Sequence, residues 1–303
     1  MASPMNTGTL TKALWPGVNK WYGKAYAEHK VEWTDLFDSF KSRKAWEEDV
    51  GISSFGLAKI KNEGAGVEYD SEQQGFITRY THVTYALGFI ITREAFEDDL
   101  YDVVGEKRAR GLAFSMRQTK ETNAANIYNR ATNTAYTYGD GKELIATDRP
   151  NVQGGTWANE LVTAADMSEA SLEQACIDIM KFTNDRGLKI SVMPESLHIP
   201  VDLVFEAERI LNSVGRVGTA DNDLNALKTM GKFRKVVPNH YFTDTDAWFI
   251  RTNCPDGMKY FSRREDDFDM DEDFDTDNAK YKATCRYSFG MTDPRGIFGS
   301  PGA

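Results

Sequence analysis

The stretch from Arg93 to about Ala131 contains no proline, and it limits what the chain can fold into more than any other feature. Thr92 stands before it as an N-cap, and Glu94, Glu97 and Asp98 fill the first turns, where carboxylates suit the positive end of a helix dipole. Read as one helix, it runs about 55–60 Å at about 1.5 Å per residue, the length of a strut. Phe96, Leu100, Val103 and Val104 form one apolar stripe. Ala109, Leu112, Ala113, Met116, Ala124 and Ile127 form a second, displaced around the axis. Two stripes imply two sets of neighbours. Gly105 and Gly111 sit where the stripe changes, so the spacing predicts one helix with room for a bend, against the ordinary alternative of two helices broken at a glycine.

Upstream of the strut the period is two. Val83, Tyr85, Leu87, Phe89 and Ile91 alternate with Thr84, Ala86, Gly88 and Ile90, a strand that runs directly into the helix. Phe55 to Lys61 reads as the first arm of a hairpin, and the stretch after Gly75 reads as its return. Between them lie Gly64-Ala65-Gly66 and a charged tip with Glu63, Glu68, Asp70 and Glu72. A two-stranded ribbon that is polar on both faces at its far end does not stand alone in water and needs a surface to lie on. Residues 1–40 carry Leu10, Leu14, Trp15, Trp21, Tyr22, Tyr26, Trp33, Leu36, Phe37 and Phe40 without a steady period. They either pack on their own domain or form an arm lying on a neighbouring subunit.

Downstream, residues 132–159 are turn-rich. A helix is expected from Ser168 to Arg186, capped by Ser168 or by a Ser171–Gln174 box, with Gly187 as its C′ residue. Apolar pieces follow at Leu188–Met193 and Leu197–Ile199, and Pro200 opens a further helix through Leu211. Gly215–Asn225 reads as a loop, and Phe233–Val237 and Ala247–Ile250 as strands. This alternation suggests an α/β or α+β domain over residues 160–260. Asp267, Asp269, Asp271 and Asp273 alternate with Phe268, Met270, Glu272 and Phe274. A calcium loop opening on Asp269 would want glycine at its sixth position, where Phe274 stands, so a strand with acids outward is the better reading.

Several function classes are excluded on chemistry. The chain has 303 residues and a net charge of −10, which does not suit a protein that grips phosphate backbones. No apolar run approaches the ~20 residues that span a bilayer, and the polar residues after Met1 do not read as a signal peptide. Cys176, Cys254 and Cys285 are widely spaced and read as reduced thiols, two of them buried. No phosphate loop exists, because Gly231-Lys232 is followed by Phe233. His29, His82, His198 and His240 show no ligand spacing, and there is no Gly-x-Ser-x-Gly elbow. The reading is therefore no catalytic residue, no cofactor, no metal and no enzyme.

Ordered local similarity then adds a family. Gly75-Phe76-Ile77-Thr78-Arg79-Tyr80 and Leu87-Gly88-Phe89-Ile90-Ile91-Thr92-Arg93-Glu94, running into Glu97-Asp98-Asp99, are two of its segments. Others are Pro200 to Ser213 with Ala220-Asp221-Asn222-Asp223-Leu224-Asn225, Thr245-Asp246-Ala247-Trp248-Phe249, and Tyr281 through Phe289-Gly290-Met291-Thr292-Asp293-Pro294-Arg295-Gly296. Together, over most of residues 50–300, the chain resembles the major capsid protein of tailed bacteriophages. The resemblance implies an α+β fold of the Hong-Kong-97 type. Its parts would be an N-terminal arm (1–44), an extended β-hairpin loop (45–91), a peripheral domain with a spine helix (92–159), an α/β axial domain (160–275) and a C-terminal strand returning to the peripheral domain (276–303).

It implies a shell protein that assembles with itself into pentamers and hexamers around double-stranded DNA, in a virion built in the host cytoplasm. Partners would be a portal protein, a decoration protein and, since residues 1–40 lack long charged heptads, a separate scaffolding protein. Inter-subunit contacts are expected from Trp15, Trp21, Trp33, Lys59, Lys61, Glu63, Glu68, Asp70 and Arg79, with the charged members pairing across copies. Some family members join subunits by Lys–Asn bonds, but no motif here fixes a partner for Lys59 or Lys61. The alternatives are a protein compartment of the same fold that encloses cargo enzymes, and a cytoplasmic α/β enzyme.

Overall fold

A computed structural model describes residues 19–64, 66–92, 94, 101–215, 224–272 and 278–303. The chain opens with helix α1 (19–28), a short helix α2 (Trp33–Leu36), and strands β1 (Asp38–Lys41) and β2 (Trp46–Ile52). It continues through β3 (Gln74–Thr81) and β4 (Val83–Ile91) into helix α3 (Tyr101–Asn129). The short pair β5 (Arg149–Pro150) and β6 (Thr156–Trp157) precedes α4 (Glu169–Met180), β7 (Pro194–Pro200), α5 (Val204–Asn212) and α6 (Ala226–Met230). Strands β8 (Lys235–Asn239), β9 (Trp248–Thr252), β10 (Met258–Glu272), β11 (Ala279–Met291) and β12 (Ile297–Ser300) complete it.

Over the described residues the strut is one uninterrupted helix of 29 residues, with Gly105 and Gly111 inside it. Its second stripe is buried: Ala109, Leu112, Ala113, Met116 and Ala124 are in the core and Ile127 packs against it. Phe96 and Leu100 of the first stripe lie outside the described residues. The stripe rests on a sheet ordered β1-β10-β11-β4, in which β1 runs parallel to β10 and the other pairs are antiparallel. The alternation along β4 thus found its partner in the C-terminal strand β11. The acidic run is the outer end of β10, with Phe268 buried and Asp267, Asp269 and Asp271 exposed. Asp273 and Phe274 fall outside the described residues.

A second sheet, ordered β12-β9-β7-β8, carries α4 and α5. Its strands are two-faced. Trp248, Ile250 and Phe298 enter the core beneath α4, while Phe249 and Ile297 enter the core around α3. One sheet therefore closes both cores, because side chains on a strand point alternately to opposite faces.

Several boundaries move. The first hairpin arm is Trp46–Ile52 rather than Phe55–Lys61, and residues 53–73 have no strand pairing among those described. Helix α4 stops at Met180, six residues before Arg186, and Ser168 caps it in a box closed by Ser171. Gly187, with φ +75°, instead serves a turn whose Leu188 amide donates to Asn184 Oδ1. The Leu188–Met193 stretch forms no strand. Asn225 caps α6, a helix the sequence reading left out. Strand β10, which fell within the 160–275 axial unit, pairs in the α3 sheet, and β12, which fell in the returning tail, joins the second sheet.

The N-terminal segment from residue 19 packs on its own chain. Tyr22, Ala25, Trp33, Leu36 and Phe37 are core residues. The fit is specific: buried Glu121 on α3 accepts the Glu32 and Trp33 amides at 3.1 and 2.8 Å, which satisfies the free N–H groups at the start of α2. Trp33 packs tilted against Tyr260 and edge-on against Phe289, with ring centroids 4.3 and 5.9 Å away. It is therefore a core residue of its own chain.

Candidate assembly interface

The hairpin β2–β3 leaves the body between β1 and β4, and its inner half is braced by its own chain. In register, Glu48 faces Arg79, Asp49 faces Thr78 and Val50 faces Ile77, with an irregularity before Ile52. Asp49 accepts from Lys259 Nζ at 2.7 Å and from the Thr292 hydroxyl at 2.8 Å. The Tyr80 hydroxyl lies 2.6 Å from Thr292 Oγ1. A Cβ on Gly139 would come within 2.7 Å of the Ile77 carbonyl, so the turn after α3 lies directly under β3. These contacts make the root rigid; a ribbon on its own would not be.

The outer half is another matter. Ile52, Phe55, Leu57, Ile60, Val67 and Tyr69 project into solvent, with Ile60 and Tyr69 at least 95% exposed. A single exposed leucine is ordinary, but six large apolar side chains along one short loop mark an interaction surface. The charges of this tip are expected from the sequence; its exposed apolar content is not. The signal was present: Phe55, Leu57, Ile60 and Val67 recur every two to seven residues, with neither the strict alternation of a strand nor the spacing of a helix face.

Among the tip's charges, Lys59, Glu68 and Asp70 find partners at home. Lys59 and Glu68 pair at 2.6 Å within the loop. Asp70 reaches Arg186 at 2.5 Å and accepts the Gly56 amide at 2.8 Å, and Arg186 also donates to the Ser71 carbonyl. These bonds hold the Asp70 carboxyl below its usual range, first through the Gly56 and Ser71 amides and then through Arg186. Arg79 sits 3.7 Å from Glu48 with its guanidinium over the Trp46 ring. Lys61 and Glu63 are exposed. Trp21 packs against the α3 core as a partly buried residue, and Trp15 lies outside the described residues. The structure thus brings Lys59, Glu68, Asp70 and Arg79 together on one hairpin and places Trp21 and Trp33 on the body.

No group of acids, histidines or cysteines among the described residues is arranged to hold a metal ion. Among them, no helix is long and apolar enough to cross a membrane. Grooves flank the hairpin root. One of about 480 Å³ is lined by Asp49, Phe76, Trp157, Asp256, Lys259 and Arg295, with the cations already committed to carboxylates.

Comparison with known proteins fits this picture. A family model described as phage capsid protein matches residues 76–299. No curated protein matches. Among solved structures, a chain from Mycobacterium phage Che8 shares 12% identity over 90% of this chain and 93% of its own, with a TM-score of 0.51. A chain from the procapsid of bacteriophage JBD30 shares 14% identity over 97% and 76%, with a TM-score of 0.53. A chain from the capsid of an empty GTA particle shares 10% over 89% and 89%, also at 0.53. At such identities the likeness speaks for the fold, which is the α+β Hong-Kong-97 type.

Proposed function

The chain belongs to the phage capsid protein family, and from that premise we propose how its copies join: the apolar tip of the hairpin, residues 52–73, lies across a neighbouring copy. The protein is a major capsid protein, a structural shell component of the virion and not an enzyme; its copies assemble with one another. The observation that carries the proposed joint is the exposure of Ile52, Phe55, Leu57, Ile60, Val67 and Tyr69 beyond a braced root. Burying one such side chain contributes about 1.5–3 kcal/mol. Six of them on each copy give a large gross gain to set against the cost of ordering and association.

The charges play a smaller part than their number suggests. An exposed ion pair is worth about 0–1 kcal/mol, and the two at the tip and the one in the inner half of the hairpin all close within the chain. Lys61 and Glu63 are left as candidates to pair across the contact. Pentamers and hexamers follow if each tip lies on the next copy in a ring, a heterologous contact that closes by rotation. The double-stranded DNA inside would be contained without sequence-specific contacts, since the net charge of −10 opposes attraction to phosphate. A separate scaffolding protein, a portal protein and a decoration protein complete the proposed set of partners.

The test replaces Leu57, Ile60 and Tyr69 together by Ser. Circular dichroism should show an unchanged fold, because none of the three touches the core. Sedimentation should show loss of closed particles. Normal particles from the triple variant, or from a chain lacking residues 62–74, would sink the proposal.

A further inference from the structure

We propose that His82 is a pH-sensitive latch that fastens the hairpin to the body at neutral pH and lets go of the body, but not of the hairpin, in acid. The residue stands alone between β3 and β4, the point where the chain passes from the hairpin's two-stranded sheet to the four-stranded sheet of the body. Its ring is buried, 4% exposed, and both nitrogens are occupied. Nε2 lies 3.0 Å from Ser42 Oγ, beside the other root of the hairpin, and Nδ1 lies 3.0 Å from Ser288 Oγ on β11.

The tautomer follows from what Ser42 already does. Its hydroxyl donates to Glu47 Oε1 at 2.8 Å and accepts the Lys44 amide at 3.1 Å. With its single proton spent, Ser42 Oγ can only accept from His82, so Nε2 carries the hydrogen and Nδ1 accepts from the Ser288 hydroxyl. A second proton must therefore go onto Nδ1, the nitrogen facing the body. There it meets the Ser288 hydroxyl as donor against donor.

The surrounding charges act in the same sense. On the body side stand Arg286 of β11, whose Nε donates to the His82 carbonyl at 3.4 Å, and Arg263 of β10. On the hairpin side stands Glu47, itself paired with Lys44 at 3.1 Å. An imidazolium is repelled by the two arginines and drawn to the carboxylate that moves with the hairpin. Burial first, and Arg286 next, hold the His82 pKa below the ordinary histidine value of 6.5. The folded root is therefore fully latched above about pH 6.5 and loses the latch as the pH falls through the lower, folded value. The Asp49–Lys259 and Tyr80–Thr292 contacts remain as the pivot.

This regulation rests on the hairpin being the joining element, but its test reads the unassembled chain and so stands apart from whether shells form. Hydrogen exchange would be followed at about pH 7.5 and about pH 4.5, corrected for intrinsic rates, in wild type and in His82→Gln. Glutamine can donate to Ser42 and accept from Ser288 but does not titrate. The expected result is about tenfold faster exchange in acid for peptides spanning 39–46 and 82–86 in wild type, none in His82→Gln, and no change for 74–80 in either. The Ser42 amide, bonded to the Ser262 carbonyl of β10 at 2.8 Å, is the most direct reporter. Ser288→Ala should exchange fast at these peptides already at neutral pH, and it decides the matter if His82→Gln fails to fold. A flat wild-type response, an equal acid response in His82→Gln, or full neutral protection in Ser288→Ala overturns the latch.

Discussion

Arg149 is buried without exposure in the turn-rich segment, where the sequence offered only glycines and prolines to read. Its guanidinium pairs with Asp140 and donates to the Glu143 and Leu144 carbonyls and to Asn159 Oδ1. One side chain thus satisfies the acceptors of a loop whose own ladder is only the two-residue pair β5–β6, and nothing local in the sequence distinguishes it from a surface arginine. His198 is equally hidden: burial, with Arg251 and Lys235 adding to it, pushes its pKa down to about 3. An unfolded histidine binds its proton near 6.5, so the unfolded chain holds one extra proton between the two values. Stability from this group is complete above about pH 6.5 and falls by about 1.4 kcal/mol per pH unit toward about 3. His198→Gln should flatten the acid limb of a denaturant-stability profile by about one proton; an unchanged slope would remove His198 from the account. Glycines divide by their surroundings. A Cβ on Gly88 would lie 2.5 Å from the Tyr281 carbonyl of the paired strand, so Gly88→Ala should cost about 1–3 kcal/mol in urea unfolding. Gly111 has open space on the helix surface, and Gly111→Ala should gain about 0.5–1 kcal/mol.

Elements with a long, steady period were legible, and those held by distant partners were not. The strut could be read because its second apolar stripe repeats over many turns, and β4 because an apolar residue returns at every second position from Val83 to Ile91. The first hairpin arm was misplaced because Trp46–Ile52 mixes Glu47, Glu48 and Asp49 with apolar residues, and its pairing rests on Lys259 and Thr292, more than two hundred positions away. The tip's apolar side chains were visible as letters, but their exposure depends on the absence of a core beneath them, which only the fold reveals. Helix α3 is also where an element-scale substitution should be most costly. Gln118 is exposed, so Gln118→Pro disturbs no side-chain packing, yet it removes a backbone donor in mid-helix. A loss of about 3 kcal/mol or more is expected by thermal melting, spread over the α3 core and its sheet together. A loss under about 1 kcal/mol would mean that α3 is not the continuous strut on which this fold depends.

At the scale of the whole molecule, the two cores share one sheet while the hairpin stands apart, joined through its root and through Arg186 at its tip. Such a body has a rigid part for walls and a projecting part for joints. Family membership explains what the walls are for, and the exposed tip is the joint we propose between one copy and the next. The decisive measurement is a cryo-electron-microscopy reconstruction of particles assembled from the purified protein, at a resolution that traces β2 and β3. The account predicts closed shells in which Leu57, Ile60 and Tyr69 of each hairpin are buried against the next copy. Shells in which those three side chains face solvent, with the hairpin folded along its own chain, would contradict it.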